Sequence, residues 1–421
     1  MAKRAIAFLV ALTLALGPGA VALAEEQGIN LSPEPGKGMP GEAAEAYLSV
    51  YEELPPAVTV AAIMEQNLPV ASAILIDQQT GRVLFEQTPD EQVAPASITK
   101  VMTLLLIMEA IESGKVSLQD AVTTSEDAAS MGGSQIWLRV GEQMTVDELL
   151  RAVTIASAND ASYALAEHVA GSAPVFVEMM NARAAELGMT GTRFRNVTGL
   201  DEEGHFTTAR DVAIASRELI SFDLIREYST IWMDDLRGGE TQLVNTNRLV
   251  RFYNGATGLK TGTTGQAGSC LAATATRDGL SLVAVVMGSP TSDARFAAAR
   301  GLLDYGFANY TSVTPPSIAD QLTPVRVLRG VEETVLPAFE APGSYIVEKG
   351  KADKIEQVVT LAEDVEAPVY MGQILGTVDV LVDGSLLGSY PLRAVGSVDR
   401  MTFSRAFGIL VRSALTMNIN R

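Results

Sequence analysis

A serine three residues before a lysine, at the head of an apolar segment, constrains this chain most strongly. Ser97 and Lys100 precede residues 101–108, in which Thr103 is the one polar residue. A helix that is apolar on every side belongs in a protein core. Positions i and i+3 of a helix share a face, so the Ser97 hydroxyl and the Lys100 amine should touch. The sequence therefore predicts a fold built around this helix.

The same pair predicts chemistry, because a neutral amine beside a hydroxyl can take its proton and create a serine nucleophile. Burial disfavours the charged form of an amine, as a general base requires. The simpler interpretation is a chance spacing, but of eight lysines only Lys100 has a serine three positions before it. The two histidines, His168 and His205, exclude a His-rich metal site and argue against a Ser-His-Asp triad.

The N-terminus has the pattern of a secretory signal. Lys3 and Arg4 precede an apolar run at 5–16, and Ala22 and Ala24 give a small-x-small ending. We therefore predict a signal peptide over 1–24, with cleavage after Ala24. The alternative, an uncleaved anchor, needs about 20 apolar residues, more than this run contains. The expected location is outside the cytoplasm.

Composition excludes some partners. A net charge of -19 argues against nucleic acid, whose binding needs clustered Lys and Arg. The single cysteine, Cys270, cannot form an intramolecular disulfide, and its apolar surroundings predict a buried thiol.

Segment patterns predict the architecture. Residues 25–69 are rich in Pro, Gly and Glu and are interpreted as a loose leader or linker, with a short helix at 43–50. A hairpin is expected at 71–77 and 82–86, then helices to about residue 229. Strands at 258–263, 268–276 and 280–287 and a helix at 292–308 follow. This order predicts one α/β domain over 70–314, whose mainly antiparallel sheet pairs early strands with late ones.

Two short motifs lie inside that domain. Ser157-Ala158-Asn159 falls between two predicted helices, where Ser and Asn are also ordinary capping residues. Lys260-Thr261-Gly262 falls on the first late strand, where a lysine and a glycine are also ordinary features of an edge strand. Neither motif taken alone indicates an activity.

Ser-x-x-Lys, Ser-Asp-Asn and Lys-Thr-Gly are the signature of penicillin-binding proteins and class A β-lactamases, and this chain has the three motifs in that order with one change in the second. From about residue 71 to 421 the chain resembles the low-molecular-mass penicillin-binding proteins that are D-alanyl-D-alanine carboxypeptidases. It departs at Ala158, where the β-lactamase motif has Asp, and in the leader. The resemblance is also carried by Gly199-Leu200-Asp201, by residues 204–211 and by residues 255–262.

The resemblance implies a β-lactamase/D,D-peptidase-like domain with helices on both faces of its antiparallel sheet. It also implies a reaction that uses no cofactor or metal, in which the site residues have the following roles. Ser97 attacks the bond between the terminal D-alanines of a peptidoglycan stem peptide, with Lys100 as base. Ser157 relays a proton to the leaving amine, and Asn159 orients Lys100 and the peptide. The backbone N–H groups of Ser97 and Thr263 form an oxyanion hole. On the late strand, Lys260, Thr261, Gly262 and Thr263 form the substrate-carboxylate site.

The motifs are also compatible with other functions. β-Lactam antibiotics should acylate the same serine, and a β-lactamase shares the fold. However, class A enzymes need a deacylating glutamate, and no Glu-x-x-Leu-Asn follows Asn159. A transpeptidase would use the same residues with an amine in place of water. A catalytically idle wall-binding scaffold is hard to reconcile with intact motifs.

Arg248 is a weaker candidate for the carboxylate contact and is expected to lie on the surface.

The C-terminal quarter predicts a separate module and a membrane contact. Pro315-Pro316 marks a boundary, and alternating residues over 315–399 predict a small all-β sandwich. Residues 400–421 contain four arginines and no acid, which predicts an amphipathic helix lying on the outer face of the cytoplasmic membrane. The alternative is a terminal helix packed on the β-domain. On a helical wheel Arg405 and Arg412 lie opposite an apolar face of Phe403, Phe407, Leu410, Ala414 and Met417.

Overall fold

The computed structural model describes residues 54–59, 63, 65, 67–340 and 343–417, with side chains up to residue 413. The predicted signal peptide over 1–24 and the predicted helix at 43–50 lie outside these residues. In chain order, the strands of the first part are β1 (Ser72–Asp77), β2 (Val83–Gln87), β3 (Ala121–Thr123), β4 (Gln143–Thr145), β5 (Met233–Leu236), β6 (Thr241–Val244), β7 (Ala256–Thr264), β8 (Gly268–Arg277), β9 (Leu280–Ser289) and β10 (Tyr310–Val313).

A five-stranded antiparallel sheet in the order β2-β1-β9-β8-β7 forms the centre. Ser72 in β1 lies opposite Met287 in β9, so the expected closure of early strands on late ones is confirmed. The predicted hairpin is also confirmed, as β1 and β2. Strand β7, which carries Lys260-Thr261-Gly262, is an edge strand.

Helices cover both faces of this sheet, as the fold class requires. In β1, Ile74 and Ile76 join the core shared with most helices, whereas Ala73 and Leu75 join the core on the opposite face. This alternation follows from the period of two along a strand. In chain order, the helices are α1 (Lys100–Glu112), α2 (Glu126–Ala129), α3 (Val146–Ala156), α4 (Asn159–Ala170), α5 (Ala173–Glu186), α6 (Ala209–Leu219), α7 (Asp223–Ser229), α8 (Leu249–Phe252), α9 (Ser292–Asn309) and α10 (Phe403–Met417).

Helix α1 is the buried central helix that the sequence predicts. Ten of its residues, including Lys100, are buried. It ends at Glu112, and Ser113 is its C-cap. Its entry differs from the prediction, because Ser97 lies in a separate 3₁₀ turn, Ala96–Thr99, rather than in the α-helix.

The end of the leader is packed rather than loose, so that interpretation is wrong for its described part. Ile63 and Leu68 are 1% and 4% exposed and belong to the core on the α9 side of the sheet. Val58 donates its backbone N–H to the Ala297 carbonyl of α9 at 3.1 Å. The interpretation followed the Pro, Gly and Glu of the segment, although residues 57–64 are apolar apart from Thr59.

The C-terminal part is all β, as expected. Its strands form a four-stranded sheet and a three-stranded sheet around two small apolar clusters, and β14 pairs with β10 of the first part. The strands are β11 (Val325–Leu328), β12 (Thr334–Val335), β13 (Pro337–Phe339), β14 (Tyr345–Glu348), β15 (Ile355–Leu361), β16 (Asp364–Glu366), β17 (Ile374–Val382) and β18 (Ser385–Ala394).

Helix α10 follows the β-domain and leaves its large apolar side chains uncovered. Phe403, Phe407 and Leu410 are 85%, 59% and 68% exposed. The Arg405 guanidinium pairs with Asp399 at 2.8 Å. Within the described part of the chain, no helix combines the length and the apolarity needed to cross a bilayer.

Candidate active site

The serine turn is held by two glycines that let backbones approach closely. Ala96, just before Ser97, has a φ of +48°. Gly199 abuts this turn so closely that a Cβ there would lie 1.8 Å from the Ala96 carbonyl oxygen. A Cβ at Gly262 would lie 2.9 Å from the backbone nitrogens of Ser97 and Ile98. Any side chain at either glycine would therefore push the turn away from its neighbours.

Lys100 is fully buried and touches the serine. Its Nζ lies 2.9 Å from Ser97 Oγ, 2.8 Å from the Thr198 carbonyl oxygen and 3.5 Å from Ser157 Oγ. The carbonyl accepts a hydrogen bond from the amine and fixes its position between the two hydroxyls. The contact expected from the i, i+3 spacing is present although Ser97 is outside the α-helix.

Ser157 links the two lysines of the site. Lys260 Nζ donates to Ser157 Oγ at 2.8 Å and to the Thr261 carbonyl oxygen at 3.0 Å, and Lys260 is 1% exposed. Ser157 ends α3 in the left-handed region, with a φ of +62°. One hydroxyl therefore lies within hydrogen-bonding reach of two amines on different elements.

Asn159 lies beside the serine motif but does not bond Lys100 in this structure. Its backbone N–H donates to the Ser134 carbonyl at 2.7 Å, and its Nδ2 donates to the Gly132 carbonyl at 2.6 Å. Its buried Oδ1 has no hydrogen-bond partner within the described part of the chain. Thus Asn159 holds the 132–134 loop and retains an unused acceptor.

The strand that carries Lys260-Thr261-Gly262 is held by hydrogen bonds to Thr246 and Arg295, two residues that the sequence did not indicate. Thr261 Oγ1 donates to Thr246 Oγ1 at 2.6 Å. Arg295 of α9, which is 1% exposed, donates through one nitrogen to Thr263 Oγ1 at 2.8 Å and to the Gly262 carbonyl at 3.2 Å. The sequence offers no local signal for these contacts, because each joins residues 15 or more positions apart. The Thr198 carbonyl was missed for another reason, since a backbone acceptor leaves no residue-type signature.

Arg248 is not a surface residue, so that prediction is wrong. It is 4% exposed, it pairs with Asp293 at 2.9 Å, and its guanidinium lies over the Phe296 ring at 5.3 Å. These contacts connect α8 to α9. An arginine can be buried when it pairs with a carboxylate and lies over the face of an aromatic ring. Neither Asp293 nor Phe296 is close to Arg248 in sequence.

His205 supports the serine turn through hydrogen bonds with Thr99 and with the backbone of Arg195. Its Nε2 lies 2.8 Å from Thr99 Oγ1, and its Nδ1 accepts from the Arg195 backbone N–H at 3.3 Å. The proton of the neutral ring is therefore on Nε2, which donates to Thr99. Burial lowers the pKa of His205 to about 4, against the opposing charges of nearby acids.

Comparison with known proteins places this geometry in a family. The model of the D-alanyl-D-alanine carboxypeptidase family matches residues 59–291, and that of the penicillin-binding protein 5 C-terminal domain matches 310–400. The chain is 41% identical to D-alanyl-D-alanine carboxypeptidase DacF of Bacillus subtilis, over 79% of this chain and 86% of that one. It is 38% identical to DacC of Escherichia coli, over 78% and 84%.

A solved structure agrees with these relatives. Penicillin binding protein 5 from Haemophilus influenzae superposes with a TM-score of 0.70 at 30% identity, covering 79% of this chain and 98% of that chain. The fold and the Ser-x-x-Lys site define a serine hydrolase of the penicillin-binding class. Within that class, the chain belongs to the D-alanyl-D-alanine carboxypeptidase family. Its expected family, fold class and enzyme class are confirmed.

Proposed function

We propose that the chain removes the terminal D-alanine from peptidoglycan stem peptides through an acyl-enzyme on Ser97. The observation that carries this proposal is the contact of a fully buried lysine amine with the Ser97 hydroxyl at 2.9 Å. Burial, together with the second amine of Lys260 across Ser157, disfavours a charge on Lys100. Lys100 then takes the Ser97 proton as Oγ attacks the carbonyl carbon of the penultimate D-alanine.

The remaining steps use the other motif residues. Backbone N–H groups of Ser97 and Thr263 stabilise the oxyanion, and the close packing of Gly262 on the Ser97 backbone supports this role. Ser157, placed between both amines, passes a proton to the leaving nitrogen, and free D-alanine departs. Asn159 Oδ1, the buried acceptor without a partner, receives an N–H of the bound peptide.

Water then completes the cycle by adding to the ester carbonyl and restoring the Ser97 hydroxyl. The peptide itself is placed along the free edge of β7, where main-chain hydrogen bonds can extend the sheet. The test is incubation with a peptide ending in D-Ala-D-Ala, with free D-alanine measured before and after treatment with penicillin. We expect release that penicillin abolishes. Release that persists after stoichiometric penicillin labelling would contradict the Ser97 mechanism.

A prediction concerns the terminal carboxylate, which we assign to Lys260, Thr261 and Thr263. Lys260→Ala should reduce kcat/KM for a peptide acid about tenfold more than for the same peptide as its C-terminal amide, because only the acid offers a charge-assisted contact. Lys115→Ala, at an exposed lysine just beyond the end of α1, is the matched control. Equal losses on acid and amide would remove the carboxylate role.

We also propose that the mature chain is exported and held on the outer face of the cytoplasmic membrane by α10. The support is the exposure of Phe403, Phe407 and Leu410 together with the basic charge of residues 400–421. An apolar face and cationic residues together favour an interface that contains anionic lipid. The side chains described for α10 are not buried against the β-domain.

A second prediction tests this attachment. Truncation after Thr402 keeps the bonds of Asp399 and Met401 to residues 329–331 and removes α10. We expect the truncated enzyme to keep its activity and to stay in the supernatant, while the intact mature chain sediments with anionic vesicles at low salt.

Two substitution sets sharpen that experiment. Phe403→Ser with Phe407→Ser and Leu410→Ser should release the chain from vesicles. Tyr370→Ser with Met371→Ser, which removes equally exposed apolar side chains from the β-domain, should not. An intact chain that never sediments would show that α10 is no anchor.

A further inference from the structure

One half-exposed tryptophan is held in an unfavourable backbone conformation on the segment that follows the 132–134 loop. Trp137 is 50% exposed and has a φ of +55°, between Ile136 and Leu138, which are 2% and 5% exposed. A bulky residue in the left-handed region costs free energy and persists only where its surroundings impose it. Such residues concentrate at functional sites, so the cause of this conformation matters.

A buried carboxylate imposes it from one side. Asp160 is 1% exposed, and its two oxygens accept from the backbone N–H groups of Ile136 at 3.2 Å and Leu138 at 3.0 Å. The same carboxylate accepts from the Ala161 backbone N–H at 2.9 Å. With the amides on both sides of it fixed to one acid, Trp137 must form the apex of the turn.

Arg237 imposes it from the other side. The guanidinium donates to the Ile136 carbonyl at 2.9 Å and pairs with Glu142 at 2.7 Å. The peptide groups flanking Trp137 are thus fixed by two side chains that are distant in sequence, Asp160 and Arg237. Such restraint is more than a surface turn needs, and it directs one large apolar side chain into solvent.

The position of this turn connects it to the chemistry. Asp160 directly follows Asn159, which holds the backbone of Gly132 and Ser134. Leu200, 40% exposed, lies against the same 132–134 loop, because a Cβ at Gly133 would be 3.8 Å from its Cδ2. The segment 132–138 is therefore held by Asn159 and Asp160, at the Ser-x-Asn motif, whereas the carboxylate of the leaving D-alanine is assigned to β7.

We propose that Trp137 is a binding platform for the acyl side of the substrate, namely an aliphatic, amino-bearing side chain that precedes the D-Ala-D-Ala pair. The proposal rests on the function proposed above. An indole face offers a large rigid contact area to methylene groups and attracts a cation at the end of such a chain. The turn would therefore select stem peptides with a diamino acid over shorter or acidic side chains.

The first test uses Trp137 as its own reporter. The chain has two tryptophans, so Ser97→Ala with Trp232→Phe leaves Trp137 as the single emitter. We expect acetyl-Lys-D-Ala-D-Ala to shift its fluorescence with saturation, and acetyl-Gly-D-Ala-D-Ala to do so at about tenfold higher concentration. An emission spectrum unchanged at peptide concentrations that compete with penicillin for the wild-type site would overturn the proposal.

The second test separates a platform from a structural role. Trp137→Ala should lower kcat/KM about tenfold more for the lysine peptide than for the glycine peptide, chiefly through KM. Trp137→Gly, which suits the positive φ, should show the same ratio. Val140→Ala, at an apolar residue 62% exposed on the same segment, should leave the ratio unchanged.

Penicillin titration counts the competent sites of each variant, so rates can be expressed per competent site. Equal losses on both peptides would make Trp137 a structural residue and overturn the platform. A wild-type chain that releases no D-alanine from either peptide would instead refute the proposed function, and the fluorescence measurement would still report whether Trp137 contacts the peptide.

Discussion

Ser97→Ala is expected to abolish covalent labelling by penicillin and to reduce D-alanine release at least about 10³-fold. The β-lactam carbonyl is attacked by the group that attacks the peptide, so one substitution removes both reactions. The structure predicts a normal fold for this variant, since Lys100 keeps its bond to the Thr198 carbonyl. Intact-mass spectrometry of the labelled chain, followed by peptide mapping, measures the adduct and its position.

The matched control is Ser130→Ala, at an exposed serine whose hydroxyl donates to the nearby Asp127 carbonyl. It should be labelled at the wild-type rate and should keep full activity. An adduct mapped to any residue other than Ser97 in the wild-type chain would refute the nucleophile. Thermal unfolding of the two variants should agree with that of the wild type, because neither substitution leaves a buried charge without a partner.

The local structure was predictable wherever one short-range rule dominated. The period of two in β1, the Asp278-Gly279 turn before β9 and the capping box of Thr145 and Glu148 at α3 all follow from neighbours in sequence. The order of the three motifs also predicted the family, because the family's fold brings the three elements that carry them together at one site. Lys100, Ser157 and Lys260 do meet at the distances that such a site needs.

What the sequence did not reveal depends on long-range pairing. Arg248 resembles a surface residue until Asp293 and Phe296 are brought to it by the fold. Asp160 resembles a helix-start acid, yet its carboxylate fixes a turn more than 20 residues earlier in the chain. The positive φ values at Ala96 and Trp137 have no glycine to indicate them. In each case a tertiary contact, rather than local propensity, determines the conformation.

The assignment of Lys100 as the general base predicts a large effect of replacing it with arginine. Lys100→Arg keeps a positive charge at the site, but a guanidinium does not give up its proton in a protein. If Lys100 is the general base, this variant should lose about 10³-fold in both penicillin acylation and D-alanine release. If the lysine acted only through its positive charge, the arginine variant should retain most of the activity. Stopped-flow acylation measures the chemical step directly.

Misfolding is the competing explanation for a loss of activity in Lys100→Arg, because Lys100 is fully buried and a guanidinium is larger than an ammonium. Lys100→Ala removes this objection, since it leaves a cavity that a small amine can fill. Added methylamine should restore part of the acylation rate in Lys100→Ala, because it supplies a free base beside Ser97, and it should restore none in Lys100→Arg, where the space is filled. Lys115→Arg, at an exposed residue just beyond the end of α1, should match the wild type with and without the amine. Rescue of neither variant, with both folded by thermal unfolding, would mean that Lys100 positions the Ser97 hydroxyl rather than accepting its proton.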